Sequence, residues 1–333
     1  CIRDRDDDWR LIPAWLEQSL SADTPAQLAS AIRSRKLQSL VDRGRWLGLA
    51  LAPVSMAPLC SKPRPWYRVH TGGLPSPGHD ESRRPIVIDL SALWAGPLCS
   101  HLLQCSGARV IRVESTRRPD GARFGSTAFF DLLNEGKESV ALDFSSRAGV
   151  TQLRGLLAAA DIVIEGSRPR ALQQLGIDAD ALVRERAGLV WIAISGYGRS
   201  APQSEWIAFG DDAACAAGLC QPAANSNDVA TPCGDALCDP LTGVHAALAA
   251  SAFWRAGQGA LLDISLSAVG DHCRQFYRCN DSGAARRDGE GEPWYVHSMQ
   301  QRFPVCAPSA RTVRNSAAPL GTHTTAVLQE FVG

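Results

Sequence analysis

What this sequence lacks first is a net charge. Its 34 basic and 34 acidic residues cancel, so no global field draws it to nucleic acid or to an anionic membrane surface. A long apolar run is missing too. The longest, near Trp46 to Cys60, is short for a membrane span and is broken by Pro53 and Pro58. Neither nucleic acid nor membrane is therefore expected as a partner. No signal peptide is evident, and a chain that starts at Cys1 and not at Met is expected to be a piece of a longer product. The 11 cysteines are an odd number in a long chain, which argues against a disulfide scaffold and for reduced thiols in a cytoplasmic protein. Tight C-x2-C knuckles are absent as well. Cys215, Cys220, Cys233 and Cys238 form two C-x4-C pairs, so buried small thiols are expected and no metal site. Cys99, His101 and Cys105 are read the same way.

What is present changes texture along the chain. Trp9, Leu11, Ile12, Trp15, Leu16 and Leu20 recur at helical spacing, and a second amphipathic run covers 28–47. Residues 1–62 are thus expected to be helical and 63–84, dense in Pro, Gly, Ser and charge, to be a linker. From residue 85 to 270, short runs rich in Val and Ile (86–90, 110–114, 140–144, 162–165, 189–195, 261–266) alternate with helical patterns. Strands that alternate with helices predict a mostly parallel, Rossmann-like α/β sheet with helices on both faces. A polar connection and a closing helix are expected over 271–333.

The most informative stretch is Cys233-Gly-Asp-Ala-Leu-Cys-Asp239-Pro-Leu-Thr-Gly243. Asp followed by Pro starts helices, with the Asp oxygen as N-cap and Pro in the first turn. The same geometry places a carboxylate beside exposed amides, where negative charge can be stabilised during a reaction. Both readings stand at this point. Gly196-Tyr-Gly198 lacks the third glycine of a dinucleotide fingerprint and reads as a turn or a ligand loop. The arginines at 112, 117, 118 and 123 could meet phosphates or be solvated loop charges.

Taken together, these segments resemble the family III CoA-transferases (the CaiB/BaiF family). Ile86-Val-Ile-Asp-Leu-Ser-Ala-Leu-Trp-Ala-Gly-Pro97 is similar to the family's opening strand and "AGP" turn. Gly107–Glu114, Leu133–Asp143, Asp161–Glu165 with Arg168-Pro169, Ile194–Gly198 and Asp239-x-x-x-Gly243 are similar to its following motifs, in order. Pro319–Leu328 resembles its C-terminal helix. Residues 6–60 resemble helices of the family's small domain, which ordinarily follows the Rossmann-like part, whereas the small domain ordinarily found between 270 and 295 is missing here.

The resemblance implies acyl-CoA and carboxylic acid substrates, a homodimer, and no permanently bound cofactor, with coenzyme A serving as substrate. It implies Asp239 as nucleophile and Leu93, Trp94, Ala95, Leu142, Arg168, Pro169 and Arg117 as CoA contacts. Departures touch that groove: Gly166-Ser167 replace a frequent Asn-Phe pair, and Ser115 and Gln174 replace frequent arginines, leaving Arg117 or Arg118 for phosphates. Trp94 stands where formyl-CoA transferase has glutamine, which argues against formyl or oxalyl substrates. Two other functions belong to the same resemblance, a 2-methylacyl-CoA racemase and a non-catalytic CoA-binding subunit. The racemase subgroup has His in the stretch matching Phe209-Gly210-Asp211-Asp212, at the position of Gly210.

Overall fold

The computed structural model describes residues 6–19, 25–55, 64–76, 80, 82–223, 226–275, 285–289, 291–298, 301–306, 309 and 311–333. It opens with three helices, α1 (Asp6–Leu16), α2 (Pro25–Arg33) and α3 (Leu37–Trp46). Their apolar positions Ile12, Trp15, Leu16 and Leu40 build a small core of their own with Leu49, just beyond α3, and the Trp15 indole N–H donates to the Leu40 carbonyl at 2.8 Å. The expected single run at 28–47 is split between α2 and α3, where Arg35 turns back to donate to the Ala31 carbonyl at 2.7 Å. Leu20 lies outside the described residues.

The larger part follows as β1 (Arg68–Gly72), β2 (Ile86–Leu90), α4 (Ala95–Cys105), β3 (Arg109–Ser115), α5 (Thr127–Asn134), β4 (Glu138–Leu142), α6 (Arg147–Ala159), β5 (Ile162–Glu165), α7 (Pro169–Gln174), α8 (Ala179–Glu185) and β6 (Val190–Ser195). It continues with α9 (Gly210–Ala217), a hairpin of β7 (Cys220–Ala223) and β8 (Ser226–Pro232), α10 (Cys238–Arg255), β9 (Ala260–Ser265), α11 (Leu266–Gln275), a second hairpin of β10 (Tyr295–Ser298) and β11 (Gln301–Pro304), and α12 (Thr324–Phe331).

Seven strands form the main sheet in the order β1-β9-β6-β5-β2-β3-β4. All neighbours pair parallel except β1, which runs antiparallel to β9. The order reverses at β2, as in a doubly wound sheet: the chain goes outward through β3 and β4, then returns to β5 on the other side. Ligands of such sheets bind beyond the carboxyl ends of the strands at that reversal.

The Val/Ile runs are explained by burial on both faces. Val87, Ile164, Ile192 and Leu262 pack against residues of α4 and α10. Ile88, Val163, Trp191 and Leu261 pack on the opposite face against α6 and α8. Each fully buried side chain of this size contributes about 1.5–3 kcal/mol. The open edge at β4 is closed by the tail, where the amides of Ser139 and Ala141 donate to His323 Nδ1 and Thr324 Oγ1, each at 3.0 Å.

Two expectations are corrected. The supposed linker at 63–84 contains β1, and only Thr71 of that strand is buried. An edge strand with one wet face carries a loop-like composition, which concealed it. The supposed polar connection from 271 begins with the last turns of α11 and contains the β10–β11 hairpin.

Candidate active site

Asp239 is the second residue of α10, and the N-cap position belongs to Leu237. The carboxylate therefore does not cap its own helix, as the Asp-Pro signature suggests; the turn closes one residue earlier, with the Asp239 amide donating to the Ala236 carbonyl at 2.8 Å. Its side chain instead meets two other helix starts. The backbone amides of Ala95 and Gly210, the first residues of α4 and α9, stabilise its ionised form. Three helix N-termini converge on one carboxylate, each presenting unsatisfied N–H groups and a partial positive charge. Burial is the larger influence and pushes the Asp239 carboxyl up to about 7, with Asp212 and Asp211 adding repulsion to the amides' opposing pull.

Glycine is required at two points of this junction. A Cβ at Gly210 would lie 2.3 Å from Asp239 Oδ2 and 2.4 Å from the Ala236 carbonyl oxygen. One at Gly243 would lie 2.8 Å from the Ala95 carbonyl oxygen and 2.9 Å from Leu98. The first lets α9 reach the carboxylate, and the second lets α10 lie against α4.

Asp212 sits beneath the same junction. Burial pushes its carboxyl up to about 6, while the Phe209 amide donates to Oδ1 at 2.6 Å and the Tyr197 hydroxyl to Oδ2 at 2.8 Å. Asp211 accepts the Ala236 amide at 2.8 Å and so ties the loop before α10 to α9.

A buried polar hub fixes the loop that delivers Ala95. Leu93 adopts φ +66, a left-handed conformation costly for a side chain of its kind. Its amide is held by both oxygens of Asp120 at 3.1 Å, and Asp120 in turn accepts from Arg112. Arg112 also donates to Glu114 at 3.2 Å and Asn134 at 3.0 Å. Lys137, buried beside them, donates to the Pro97 carbonyl at 2.8 Å and Ser100 at 2.7 Å and pairs with Asp89 at 3.4 Å. Burial drags the Lys137 ammonium down to about 8. Asp89 is driven upward by burial, but Lys137, Arg112 and the Ser100 and Ser91 hydroxyls outweigh it and leave the carboxyl below its ordinary value.

That hub corrects the arginine cluster. Arg112 and Arg123 are neither phosphate ligands nor solvated loop charges; both are spent on Glu114. Arg117 remains 71% exposed, 3.6 Å from Asp143.

All the expected contact residues lie at the carboxyl ends of parallel strands: Leu93, Trp94 and Ala95 after β2, Arg117 after β3, Leu142 as the last residue of β4, and Arg168 with Pro169 after β5. Only Ala95 touches Asp239 through its amide. Trp94 stands next to it, edge-on to Phe129 with ring centroids 4.9 Å apart. Leu93 is 43% exposed, whereas the Leu142 side chain belongs to the core. The thiols are less buried than expected: Cys99 and Cys238 are fully buried, Cys215, Cys220 and Cys233 only partly, and Cys105 is exposed. Sequence reasoning did not assign Gly210, Asp212, Tyr197 or Asp120 to the site; the Asp211-Asp212 pair at a helix start was the available signal.

A cavity of about 870 Å³ lies elsewhere on the rim, beyond β6 and β9, and Asp239 does not line it.

The family model described as CoA-transferase family III matches residues 85–298. Succinyl-CoA–D-citramalate CoA-transferase of Chloroflexus aurantiacus is 30% identical over 191 residues, which cover 54% of this chain and 48% of that protein. The alpha-methylacyl-CoA racemase of Mus musculus is 35% identical over 114 residues, 34% of this chain and 28% of that protein. A CAIB/BAIF family protein from Brucella suis superposes with TM-score 0.51 and 27% identity, covering 56% of this chain and 53% of the other. The chain spans about half the length of the curated relatives it matches.

Proposed function

Since the chain belongs to CoA-transferase family III, we propose that it moves coenzyme A from an acyl-CoA thioester to a free carboxylic acid through Asp239. The observation that carries this reading is the carboxylate itself, partly buried where three helices begin, with the amides of Ala95 and Gly210 beside it. In the first step an Asp239 oxygen attacks the thioester carbonyl, the C–S bond breaks, and a mixed anhydride and CoA thiolate form. The thiolate then attacks the aspartyl carbonyl and releases the donor acid as its carboxylate, leaving an enzyme–CoA thioester. The acceptor carboxylate attacks that thioester, and the freed thiolate takes the acceptor acyl group and restores Asp239. No proton needs to move, so the acceleration comes from positioning and from amides facing the charge that develops on each carbonyl oxygen.

A racemase reading draws support from the relatives that bear that name. It requires acid and base groups on both sides of an α-carbon, and the position that would carry one of them is Gly210, where any side chain would collide with Asp239 Oδ2. The test is intact-mass spectrometry after mixing the protein with a panel of acyl-CoA thioesters. A CoA adduct that disappears in Asp239→Asn supports the transferase. Exchange of the α-proton of a 2-methylacyl-CoA with solvent deuterium would move the assignment to a racemase, and absence of both would leave a binding subunit. The same proposal carries a homodimer, read by sedimentation velocity, and a cytoplasmic setting. Among the described residues no helix is long and apolar enough to cross a membrane.

A further inference from the structure

Beside the junction at Asp239 the sequence concentrates thiols, and the fold brings two of them together. Cys215 lies in the last turn of α9 and Cys220 opens β7. The turn between them is tight. Gly218 ends the helix at φ +78, a left-handed conformation that glycine adopts without steric cost. The Leu219 amide folds back to donate to the Ala214 carbonyl at 2.8 Å. This reversal returns Cys220 to the end of α9, with its Sγ 3.4 Å from Cys215 Sγ and in hydrogen-bond contact with it. Both thiols are free and partly exposed. A disulfide bond is about 2 Å long, so the sulfurs need to close by little more than about 1 Å, a movement on the scale of side-chain rotation. Cys99 and Cys238, by contrast, are fully buried and closed to an oxidant.

We propose that Cys215 and Cys220 are a modification site that closes to a reversible disulfide when the protein meets a low-molecular-weight disulfide such as glutathione disulfide. One cysteine of the pair, as thiolate, attacks a sulfur of the oxidant, whose S–S bond breaks. A mixed disulfide forms and one glutathione leaves as thiolate. The second cysteine, as thiolate, attacks the protein sulfur of that mixed disulfide, so the Cys215–Cys220 bond forms and the second glutathione leaves. The protein gives up two electrons and two protons, and the oxidant takes both as two glutathione thiols. Burial, with Cys215 beside it, pushes Cys220 up to about 12, so the pair reacts slowly and stays as thiols until oxidant is in excess. The ring it closes is short, so the bridge gains little from chain entropy and a dithiol reopens it. The bridge bears on the loop ahead of Asp239. The Cys233 amide donates to the Leu219 carbonyl, between the two cysteines, at 3.1 Å, and the Ala236 amide donates to Asp211 of α9 at 2.8 Å. Residues 233–236 thus hang from α9 and from the turn that the bridge would close. None of this chemistry requires Asp239 to react.

The test is peptide mapping of the full chain after incubation with excess glutathione disulfide at mildly alkaline pH, with the remaining thiols alkylated. Cleavage before aspartates separates this pair from its neighbours, because Asp212, Asp228, Asp235 and Asp239 part Cys215 and Cys220 from Cys233 and Cys238. The peptide from Asp212 to Asn227 is expected to be lighter than its reduced form by two hydrogens, with its alkylation lowered at least about tenfold. A dithiol added before alkylation should restore both alkyl groups. Cys233→Ser is expected to form the same bridge in the same yield. Full alkylation of both cysteines after oxidation would overturn the proposal. So would glutathione retained as a stable mixed disulfide on either of them in the wild type, or a bridge that joins Cys220 to Cys233.

Discussion

The raised pKa of Asp239 makes the pH dependence of adduct formation the sharpest test of the site. A carboxylate attacks only when ionised, and this one is pushed from 3.8 to about 7. With that midpoint, about a tenth of the protein carries the nucleophile at about pH 6 and about nine tenths at about pH 8. The initial rate of CoA adduct formation, followed by quenched-flow intact-mass spectrometry under saturating acyl-CoA, should therefore rise nearly tenfold across that interval. An aspartate at 3.8 would give a flat profile there. The cause can be separated from the effect by Asp212→Asn, which removes the larger repelling charge and should shift the midpoint to lower pH while keeping the adduct. A profile flat from about pH 5 to 8 would refute the claim that burial governs this carboxylate. A midpoint unmoved in Asp212→Asn would refute only the repulsion by Asp212 and leave burial as the cause.

Further outcomes follow from the same geometry. Asp239→Asn should abolish the adduct and raise the thermal midpoint at about pH 8 by the equivalent of about 1–3 kcal/mol, discounted for partial exposure. The folded carboxyl binds its proton more tightly than the unfolded one, so native stability falls as pH rises from about 4 to 7, and the Asn variant should lose that slope. Gly210→Ala places a Cβ 2.3 Å from Asp239 Oδ2, and urea melts should show a loss of about 1–3 kcal/mol together with a slower adduct. Lys137→Met leaves the Asp89 carboxylate buried without its ammonium, a loss of about 3–5 kcal/mol that adding Asp89→Asn should partly restore.

The parallel sheet was legible because a strand buried on both faces is apolar at most of its positions. Ile86–Leu90 and Ile162–Glu165 stand in the structure with the bounds read from sequence. β1 escaped because four of its five residues face solvent and only Thr71 is buried, and a wet edge has no apolar run to reveal it. The catalytic candidate was legible as Asp-Pro at a helix start, but its surroundings were not. Ala95 and Gly210 act through backbone amides, which leave no side-chain signature, and they come from positions more than 100 residues apart. Arg112 and Arg123 looked available for phosphate because sequence shows charges without their partners; Glu114 and Asp120 take them only once the loop after β3 has folded back.

The site sets two opposing demands on one carboxylate, and the structure separates where each is met. An aspartate in water is a feeble nucleophile at thioester carbonyls because its charge is well solvated. Burial removes that solvation and raises the pKa, which favours attack but also favours protonation. Amides fixed at the starts of α4 and α9 offset part of the penalty without bringing in a cation that would quench the charge. They can do so only if the loop ahead of α4 keeps its left-handed turn at Leu93. Asp120 holds that turn by accepting the Leu93 amide, and Arg112 holds Asp120. A buried ion network far from any substrate is weak evidence for stability in general. In this protein its physical consequence is the direction of one N–H group, which explains why so many charges are buried around a loop that presents none of them to the reaction.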